Sequence, residues 1–306
     1  MNIAILGAGA MGCLFGGRLA ESGHRVTLVD IRSDVIDAIG RHGLAIEDSA
    51  GTRTVRLPAQ LPTARAGGPA ELIILFTKAQ HSAAAVAAAA ASGWLGGDTC
   101  VMTLQNGIGV VDELRARVDP QRIVVGTTTV PSDAVAPGRI RTLGAGTTRI
   151  MAAAGGGERM RGIAAALSAA GLVCSVIDDV WPAIWEKLAF HAAINALAAV
   201  ARLPVGQIGA TPDGRWLADA VVEEVIGVAR RKAIAANLDA VRATLAMAFR
   251  DHADHQPSML QDVLAGRTTE IDYLNGAVVR EAEALGMAVP VTATLWRLVR
   301  MREPGA

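Results

Sequence analysis

The sequence predicts an α/β fold, in which a parallel sheet covered by helices is followed by an all-helical region. Three observations support this. Short β-branched runs alternate with helical patterns in the first half, a glycine-rich turn joins the first run to the first helix, and strand-like runs stop after about Asp178. We therefore predict a doubly wound, Rossmann-type dinucleotide-binding domain over residues 1–178 and a helical substrate and catalytic domain over residues 179–306.

The elements of the first half follow from apolar runs and the turn residues between them. Gly23 ends a first helix at Met11–Ser22, and a second helix is predicted at Ser33–Arg41. A hairpin around Asp48–Gly51 is flanked by Leu44–Ile46 and Thr52–Leu57. The strands predicted for the sheet are Asn2–Leu6, Arg25–Val29, Leu72–Phe76, Thr99–Leu104 and Ile123–Gly126.

The second half shows helical periodicity interrupted by glycine and proline. The predicted helices are Val180–Ala201, Gly214–Ala236, Leu238–His252, Thr269–Leu285 and Val291–Met301. A pocket between two such domains is the usual place for small-molecule chemistry.

Composition excludes several classes of protein. Lys+Arg and Asp+Glu each number 29, so the chain lacks the excess positive charge of a nucleic-acid binder. The three cysteines lie far apart and the six histidines show no ligand spacing, so neither a disulfide framework nor a metal site is predicted. No secretion signal or membrane-length apolar run is recognised, and we expect a cytoplasmic protein without a membrane partner.

A GxGxxG motif lies between the first strand and the first helix. The first glycine permits a tight turn, the second allows close approach of a pyrophosphate, and the third lets the helix pack on the strand. The free N–H groups of the helix N-terminus favour the phosphates. We predict that the cofactor-binding residues are Gly7, Ala8, Gly9, Ala10, Met11 and Gly12.

Asp30 ends the second strand, near the spacing of about 20 residues after the third glycine at which an acid binds a ribose 2′-hydroxyl. A carboxylate there repels a 2′-phosphate and favours NAD. Arg32 and Arg41 are available to accept that phosphate, so NADP stays open. The alternative is that Asp30 only caps the following helix.

Two polar residues follow predicted parallel strands, at the sheet edge where ligands bind. Lys78 follows Leu72–Phe76, and Asn106 follows Thr99–Leu104. We predict that Lys78 reaches oxygens of cofactor or substrate and that Asn106 hydrogen-bonds near the nicotinamide. The alternatives are a solvated loop lysine and an Asn-Gly turn.

A polar stripe lies on an otherwise apolar helix. Lys187, His191 and Asn195 recur at i, i+4 and i+8, which places them on one helix face. Desolvation would lower the pKa of the lysine and make it a better proton donor near neutral pH. The alternative is a lysine whose stem packs while its ammonium reaches solvent.

Two further candidates lie near the C-terminus. Ser258 follows Pro257 and is suited to bind a carboxylate, and Glu270 is suited to bind a substrate hydroxyl. Helix capping is the alternative for both, and it is what the residue types favour on their own.

These motifs together resemble the 2-dehydropantoate 2-reductases, or ketopantoate reductases, over essentially the whole chain. The matching segments are GAGAMG at 7–12, FTKA around Lys78, LQNGIG around Asn106, WEKLAFHAAIN around Lys187 and SMLQDVLAGRTTEIDYLNG at 258–276. The resemblance implies a second domain of the 6-phosphogluconate dehydrogenase C-terminal type and NADPH-dependent reduction of 2-dehydropantoate to (R)-pantoate in pantothenate biosynthesis.

The resemblance also implies residue roles. Lys187 matches the catalytic lysine, and Lys78 and Asn106 match positions that contact cofactor and substrate. Asn195 and Ser258 match substrate-binding positions. Glu270 matches an acidic residue near both ligands, which we assign to catalysis and cofactor binding.

Two departures from the family pattern keep alternatives open. The family commonly has Asn at the substrate-facing position of His191, and its NADPH-dependent members place Arg where this chain has Asp30-Ile31-Arg32. The first alternative is a related NADH-dependent reductase of another 2-oxo acid. The second is a non-catalytic nucleotide-binding sensor. The Ala-rich helical domain is suited to form a homodimer interface.

Overall fold

An eight-stranded, mostly parallel sheet organises the first half of the chain. The computed structural model describes residues 1–155 and 157–304. The strands of this sheet are β1 (Asn2–Leu6), β2 (Arg25–Val29), β5 (Ala59–Gln60), β6 (Leu72–Leu75), β7 (Cys100–Thr103), β8 (Ile123–Thr128), β11 (Thr148–Ala152) and β12 (Cys174–Val176). Their order is β12-β11-β8-β7-β6-β1-β2-β5, and only the β11–β8 pair is antiparallel among the described pairs.

The predicted hairpin belongs to a separate small sheet. It contains β3 (Leu44–Asp48), β4 (Gly51–Val55), β9 (Asp133–Ala136) and β10 (Arg139–Arg141), in the order β4-β3-β10-β9. Asp48 pairs with Gly51 at the hairpin turn, as the sequence predicted. The helices of this half are α1 (Ala10–Glu21), α2 (Ser33–His42), α3 (Ser82–Ala91), α4 (Val110–Arg115) and α5 (Gly157–Ala169).

From Trp181 onward, the described residues form helices joined by turns and loops, and none of them forms a strand. Its helices are α6 (Trp181–Ala201), α7 (Val205–Ala210), α8 (Pro212–Arg231), α9 (Leu238–Asp251), α10 (Ser258–Leu264), α11 (Asn275–Ala284) and α12 (Pro290–Arg300). Helix α6 is central and packs against α8, α9, α10 and α12. Its residues from Leu188 to Ala199 are almost all buried, because alanine and leucine dominate this stretch.

The α/β prediction is confirmed, but one predicted helix begins late. The pattern predicted a helix over Thr269–Leu285, whereas α11 starts at Asn275 and the residues before it form turns. The amides of Tyr273 and Leu274 both donate to the Glu270 carbonyl. Tertiary hydrogen bonds of Thr269 and Asp272 compete with helix formation in this segment.

Backbone contacts divide the chain into two units. The first comprises Met1–Gln105 and Val110–Val180, and the second comprises Asn106–Gly109 and all residues from Trp181 onward. The short segment Asn106–Gly109 lies within the first half of the sequence but packs with the helical unit. None of the described helices combines the length and the apolar character required to cross a membrane.

Candidate active site

The glycine-rich loop of the first unit needs its glycines for close packing. Gly7 has φ +103°, and a Cβ there would lie 2.6 Å from the backbone of Phe76 and Thr77. A Cβ on Gly12 would lie 1.8 Å from the Gly7 carbonyl oxygen. Larger residues at either position would separate α1 from the strands β1 and β6.

The middle glycine faces open space instead. A Cβ on Gly9 would meet no atom within 4 Å, and α1 begins immediately afterwards at Ala10. This helix has no side-chain cap and no acidic residue in its first turn. The loop therefore fits a dinucleotide, because the exposed N-terminus of α1 is a binding position for the pyrophosphate and Gly9 leaves room for it.

Asp30 holds the glycine-rich loop rather than capping a helix. Its carboxylate accepts hydrogen bonds from the Ala8 amide at 2.6 Å and the Arg32 amide at 2.9 Å. The N-cap of α2 is Arg32, without a side-chain cap, so the capping alternative for Asp30 is wrong. The Arg32 side chain is about half exposed, and its Nε lies 4.0 Å from Asp30.

Lys78 lies close to the same loop. It follows Thr77, whose backbone packs against Gly7, and its carbonyl accepts a hydrogen bond from the His81 amide. Gln105 fixes this segment, since its side-chain amide donates to the Thr77 carbonyl at 2.7 Å. Gln105 was not predicted from sequence, where a single glutamine after a strand gives no signal. The structure thus places Gly7–Gly12, Asp30, Arg32 and Lys78 in the first unit.

The predicted polar stripe lies on α6 of the second unit. Burial lowers the pKa of Lys187 from 10.5 to about 8, although the negative charge of Glu270 acts in the opposite direction. This places Lys187 and Glu270 close enough to interact electrostatically. A lysine with this pKa is an effective proton donor at neutral pH, which favours the functional interpretation of the stripe over a solvent-reaching lysine.

His191 and Asn195 form a hydrogen-bonded pair on the next two turns of α6. The Asn195 side-chain nitrogen lies 3.3 Å from His191 Nδ1. The donor and acceptor roles within this pair depend on which ring nitrogen of His191 carries the proton. Burial, aided by the positive charge of Lys187, lowers the His191 pKa to about 3. The imidazole is therefore a neutral hydrogen-bond donor at physiological pH.

Asn106 is held in the second unit by the segment that contains Glu270. The Ile108 amide donates to the Tyr273 carbonyl at 3.2 Å, and Gly107 packs against the same carbonyl. Tyr273 itself is anchored by its amide to the Glu270 carbonyl at 3.0 Å. Sequence reasoning missed Tyr273, because its backbone rather than its side chain makes these contacts.

Ser258 is the first residue of α10 and is exposed. The N-cap of that helix is Pro257 and no side-chain cap is formed, so the capping alternative for Ser258 is wrong. Its role in substrate binding stays a prediction. The second unit thus contains Asn106, Lys187, His191, Asn195, Ser258 and Glu270.

Comparisons with known proteins identify the family of the chain. The family model described as ketopantoate reductase PanE/ApbA matches residues 3–155, and the model of the C-terminal part of that family matches residues 179–303. The chain belongs to the ketopantoate reductase family. It is an NAD(P)-dependent oxidoreductase with a Rossmann-type domain followed by the helical domain of that family.

Individual relatives match over the full length. A 2-dehydropantoate 2-reductase of Halobacterium salinarum is 32% identical over 99% of both chains, and one from Streptococcus pyogenes is 31% identical over 99% of this chain and 98% of its own. A solved structure of a D-mandelate dehydrogenase with NADH and anilino(oxo)acetate superposes with a TM-score of 0.93 at 31% identity, covering 99% of this chain and 98% of the other.

Proposed function

We propose that this enzyme reduces the carbonyl group of a 2-oxo acid to a hydroxyl group by hydride transfer from NAD(P)H. The first substrate to consider is 2-dehydropantoate, whose reduction to (R)-pantoate is a step in pantothenate biosynthesis. Family membership and the full-length relatives support this assignment. The observation that carries it is the polar stripe of Lys187, His191 and Asn195 on the largely apolar helix α6, where burial lowers the pKa of Lys187 to about 8.

Lys187 supplies the proton and the charge stabilisation that the reaction requires. When bound, NAD(P)H would supply the hydride that C2 of the 2-oxo acid receives. The carbonyl oxygen gains negative charge as the C=O double bond becomes a single bond, and the Lys187 ammonium stabilises that charge and transfers a proton to the oxygen. The product is a 2-hydroxy acid, and Lys187 is left as a neutral amine that regains a proton from solvent.

The remaining residues of the second unit bind and orient the substrate. We assign the carboxylate of the 2-oxo acid to Ser258, and the other polar group of the substrate to Asn195 and His191. Because His191 is neutral at physiological pH, it would bind this group by hydrogen bonding and not by charge. The negative charge of Glu270 raises the pKa of Lys187, and we assign to Glu270 a hydrogen bond from a substrate hydroxyl.

The residues of the first unit would hold the cofactor. Gly7–Gly12 and the N-terminus of α1 would hold the pyrophosphate, and we assign Lys78 to oxygens of the cofactor. We propose a preference for NADH, because two backbone amides fix the Asp30 carboxylate beside the loop. A carboxylate in this position accepts a ribose hydroxyl and repels a 2′-phosphate.

A second candidate is a reductase specific for another 2-oxo acid. Two observations favour it: Asp30 lies where NADPH-dependent members have Arg, and His191 replaces the common Asn at a substrate-facing position. The 31% identity to a D-mandelate dehydrogenase is compatible with this candidate. We predict a cytoplasmic location and a homodimer for this enzyme.

Initial rates of NADH and NADPH oxidation with a panel of 2-oxo acids test both candidates. The panel contains 2-dehydropantoate, phenylglyoxylate and branched aliphatic 2-oxo acids. The highest kcat/KM with 2-dehydropantoate supports the first candidate, and the highest value with another acid supports the second. If no 2-oxo acid oxidises either cofactor, the proposed reductase function is wrong.

A further inference from the structure

The turn segment before α11 has a structural role that neither the family match nor the sequence assigns. We call residues 269–275 the cradle. It is predicted to be helical, yet none of its six residues before Asn275 is in a helix, and it makes contacts with four separate parts of the helical unit. Ordering such a non-helical segment costs conformational entropy, and its contacts have to offset that cost.

The cradle is fixed at both ends. At the start, the amide and hydroxyl of Thr269 both donate to the Glu303 carboxylate, at 2.8 and 2.6 Å. At the end, the fully buried Asn275 donates from its side-chain nitrogen to the Ala192 carbonyl at 3.0 Å. Ala192 lies on α6 directly after His191, so this bond ties the cradle to the polar stripe.

The middle of the cradle is held by a residue of α12. The Trp296 indole N–H donates to the Asp272 carboxylate at 2.6 Å. The neighbouring residues Glu270 and Tyr273 are linked by a hydrogen bond of 3.0 Å between the Tyr273 amide and the Glu270 carbonyl. The position of Glu270 therefore depends on these supports.

The cradle also receives the loop that contains Asn106. The Ile108 amide donates to the Tyr273 carbonyl at 3.2 Å. Gly107 has φ +86°, and a Cβ there would lie 2.2 Å from the Tyr273 carbonyl oxygen and 2.8 Å from the carbonyl carbon. No side chain fits at this position, because the atoms it would meet belong to the backbone.

We propose that Gly107, Asn275 and Trp296 are positioning residues, which dock the Asn106 loop, α6 and α12 onto one cradle and so place Asn106, Glu270 and Lys187 relative to one another. Asn106 follows a strand of the sheet in sequence, but by this docking it is part of the helical unit. The proposal rests on the proposed function for its kinetic readout, since a 2-oxo-acid reductase needs these three groups in one place.

Two glycines of the same loop provide a matched test. Gly107 and Gly109 both have positive φ, +86° and +103°, but a Cβ on Gly109 meets no atom within 4 Å. Gly107→Ala therefore adds a clash with the cradle to the backbone strain, whereas Gly109→Ala adds the strain alone. The difference between the two variants measures the docking.

Two readouts are measured on the full-length chain. Hydrogen exchange of the peptide containing Ile108 is expected to be at least about tenfold faster in Gly107→Ala and within about threefold of wild type in Gly109→Ala. In Gly107→Ala, kcat/KM for the best 2-oxo acid is expected to fall by at least about tenfold, while the Kd of NADH stays within about twofold. Equal exchange and equal kinetics in the two variants would overturn the proposal.

If Gly107→Ala does not fold, a second pair of variants tests the proposal. Trp296→Phe keeps an aromatic ring but removes the donor to Asp272, and Trp216→Phe makes the same change at an exposed tryptophan on α8. Trp296→Phe is expected to raise KM for the 2-oxo acid by about two- to fivefold without changing the Kd of NADH. Identical KM values and Ile108 exchange rates in the two tryptophan variants would contradict the cradle. A wild-type chain without 2-oxo-acid activity would refute the proposed function, and the exchange comparison would still decide the proposal.

Discussion

The two units differ in the chemical groups that they offer to a ligand. In the first, the glycine-rich loop offers backbone N–H groups and close packing, and Asp30 is the charged residue that hydrogen-bonds to the loop. In the second, the groups proposed to bind substrate are the side chains of Lys187, His191 and Asn195, on a helix whose residues from Leu188 to Ala199 are largely buried. Backbone groups bind an anion without changing their protonation, whereas buried side chains acquire altered pKa values and take part in proton transfer.

The largest effect should come from removing the Lys187 ammonium in the second unit. Lys187→Ala is expected to lower kcat by about 10²–10⁴-fold, the range for loss of a general acid. The Kd of NADH, measured by fluorescence titration, should change by less than about twofold, because the loop that binds it lies in the other unit. Lys232→Ala, which removes a surface lysine paired with Glu281, is the control. A kcat near the wild-type value in Lys187→Ala would remove this residue from the mechanism.

In the first unit we expect the opposite result, in which a substitution weakens NADH binding. Gly9→Ala should leave the folded chain intact, since the new Cβ meets no protein atom within 4 Å. We expect it to weaken NADH binding by about 10–100-fold, because the methyl group occupies space that the pyrophosphate approaches. Gly40→Ala on α2, where a Cβ also meets nothing, is the matched control. Unchanged affinity in Gly9→Ala would show that the dinucleotide does not approach this glycine.

A smaller change is expected when the charge beside the loop is removed. Asp30→Asn keeps an acceptor for the Ala8 amide but removes the negative charge. The ratio of kcat/KM for NADPH to that for NADH should rise by about tenfold, as expected for loss of one charge repulsion at short range. Asp34→Asn, in the first turn of α2, is the control. A wild-type preference for NADPH would already contradict the role assigned to Asp30.

The smallest effect is on stability, and its sign follows from the lowered pKa of Lys187. The unfolded chain has this pKa near 10.5 and the folded chain near 8, so the unfolded state binds more protons between these values and stability rises with pH there. Lys187→Met should therefore increase the free energy of unfolding at pH 7 by about 1–3 kcal/mol, with the difference shrinking towards pH 10. Urea unfolding at the two pH values measures this. If Lys187→Met is less stable than the wild type at pH 7, other groups of the fold offset the cost of burying the Lys187 ammonium.

The sequence predicted those parts of the molecule whose signal is local. The glycine-rich loop is six consecutive residues, and the stripe of Lys187, His191 and Asn195 follows from helical spacing alone. Both features could therefore be predicted from the sequence alone. The long parallel strands were also predicted, because they are continuous apolar runs.

The parts that were missed depend on contacts between distant residues. The strands β9 and β10 are short, and β9 is exposed along its length, so they carry no clear alternation. The cradle continues a helical pattern in sequence, but Thr269 and Asp272 take partners more than 20 residues away. That Asn106 belongs to the helical unit was equally hidden, since it results from the backbone packing of Gly107 on Tyr273.

The pH dependence of kcat/KM for the best 2-oxo acid, at saturating NADH, tests most directly whether Lys187 is the proton donor. We predict a single fall in kcat/KM above about pH 8, as Lys187 loses its proton, and no acidic limb from His191, whose pKa is about 3. Lys187→Arg should keep only residual activity, independent of pH up to 10, because a guanidinium does not deprotonate in this range. A wild-type rate that stays constant to pH 10 would contradict the assignment.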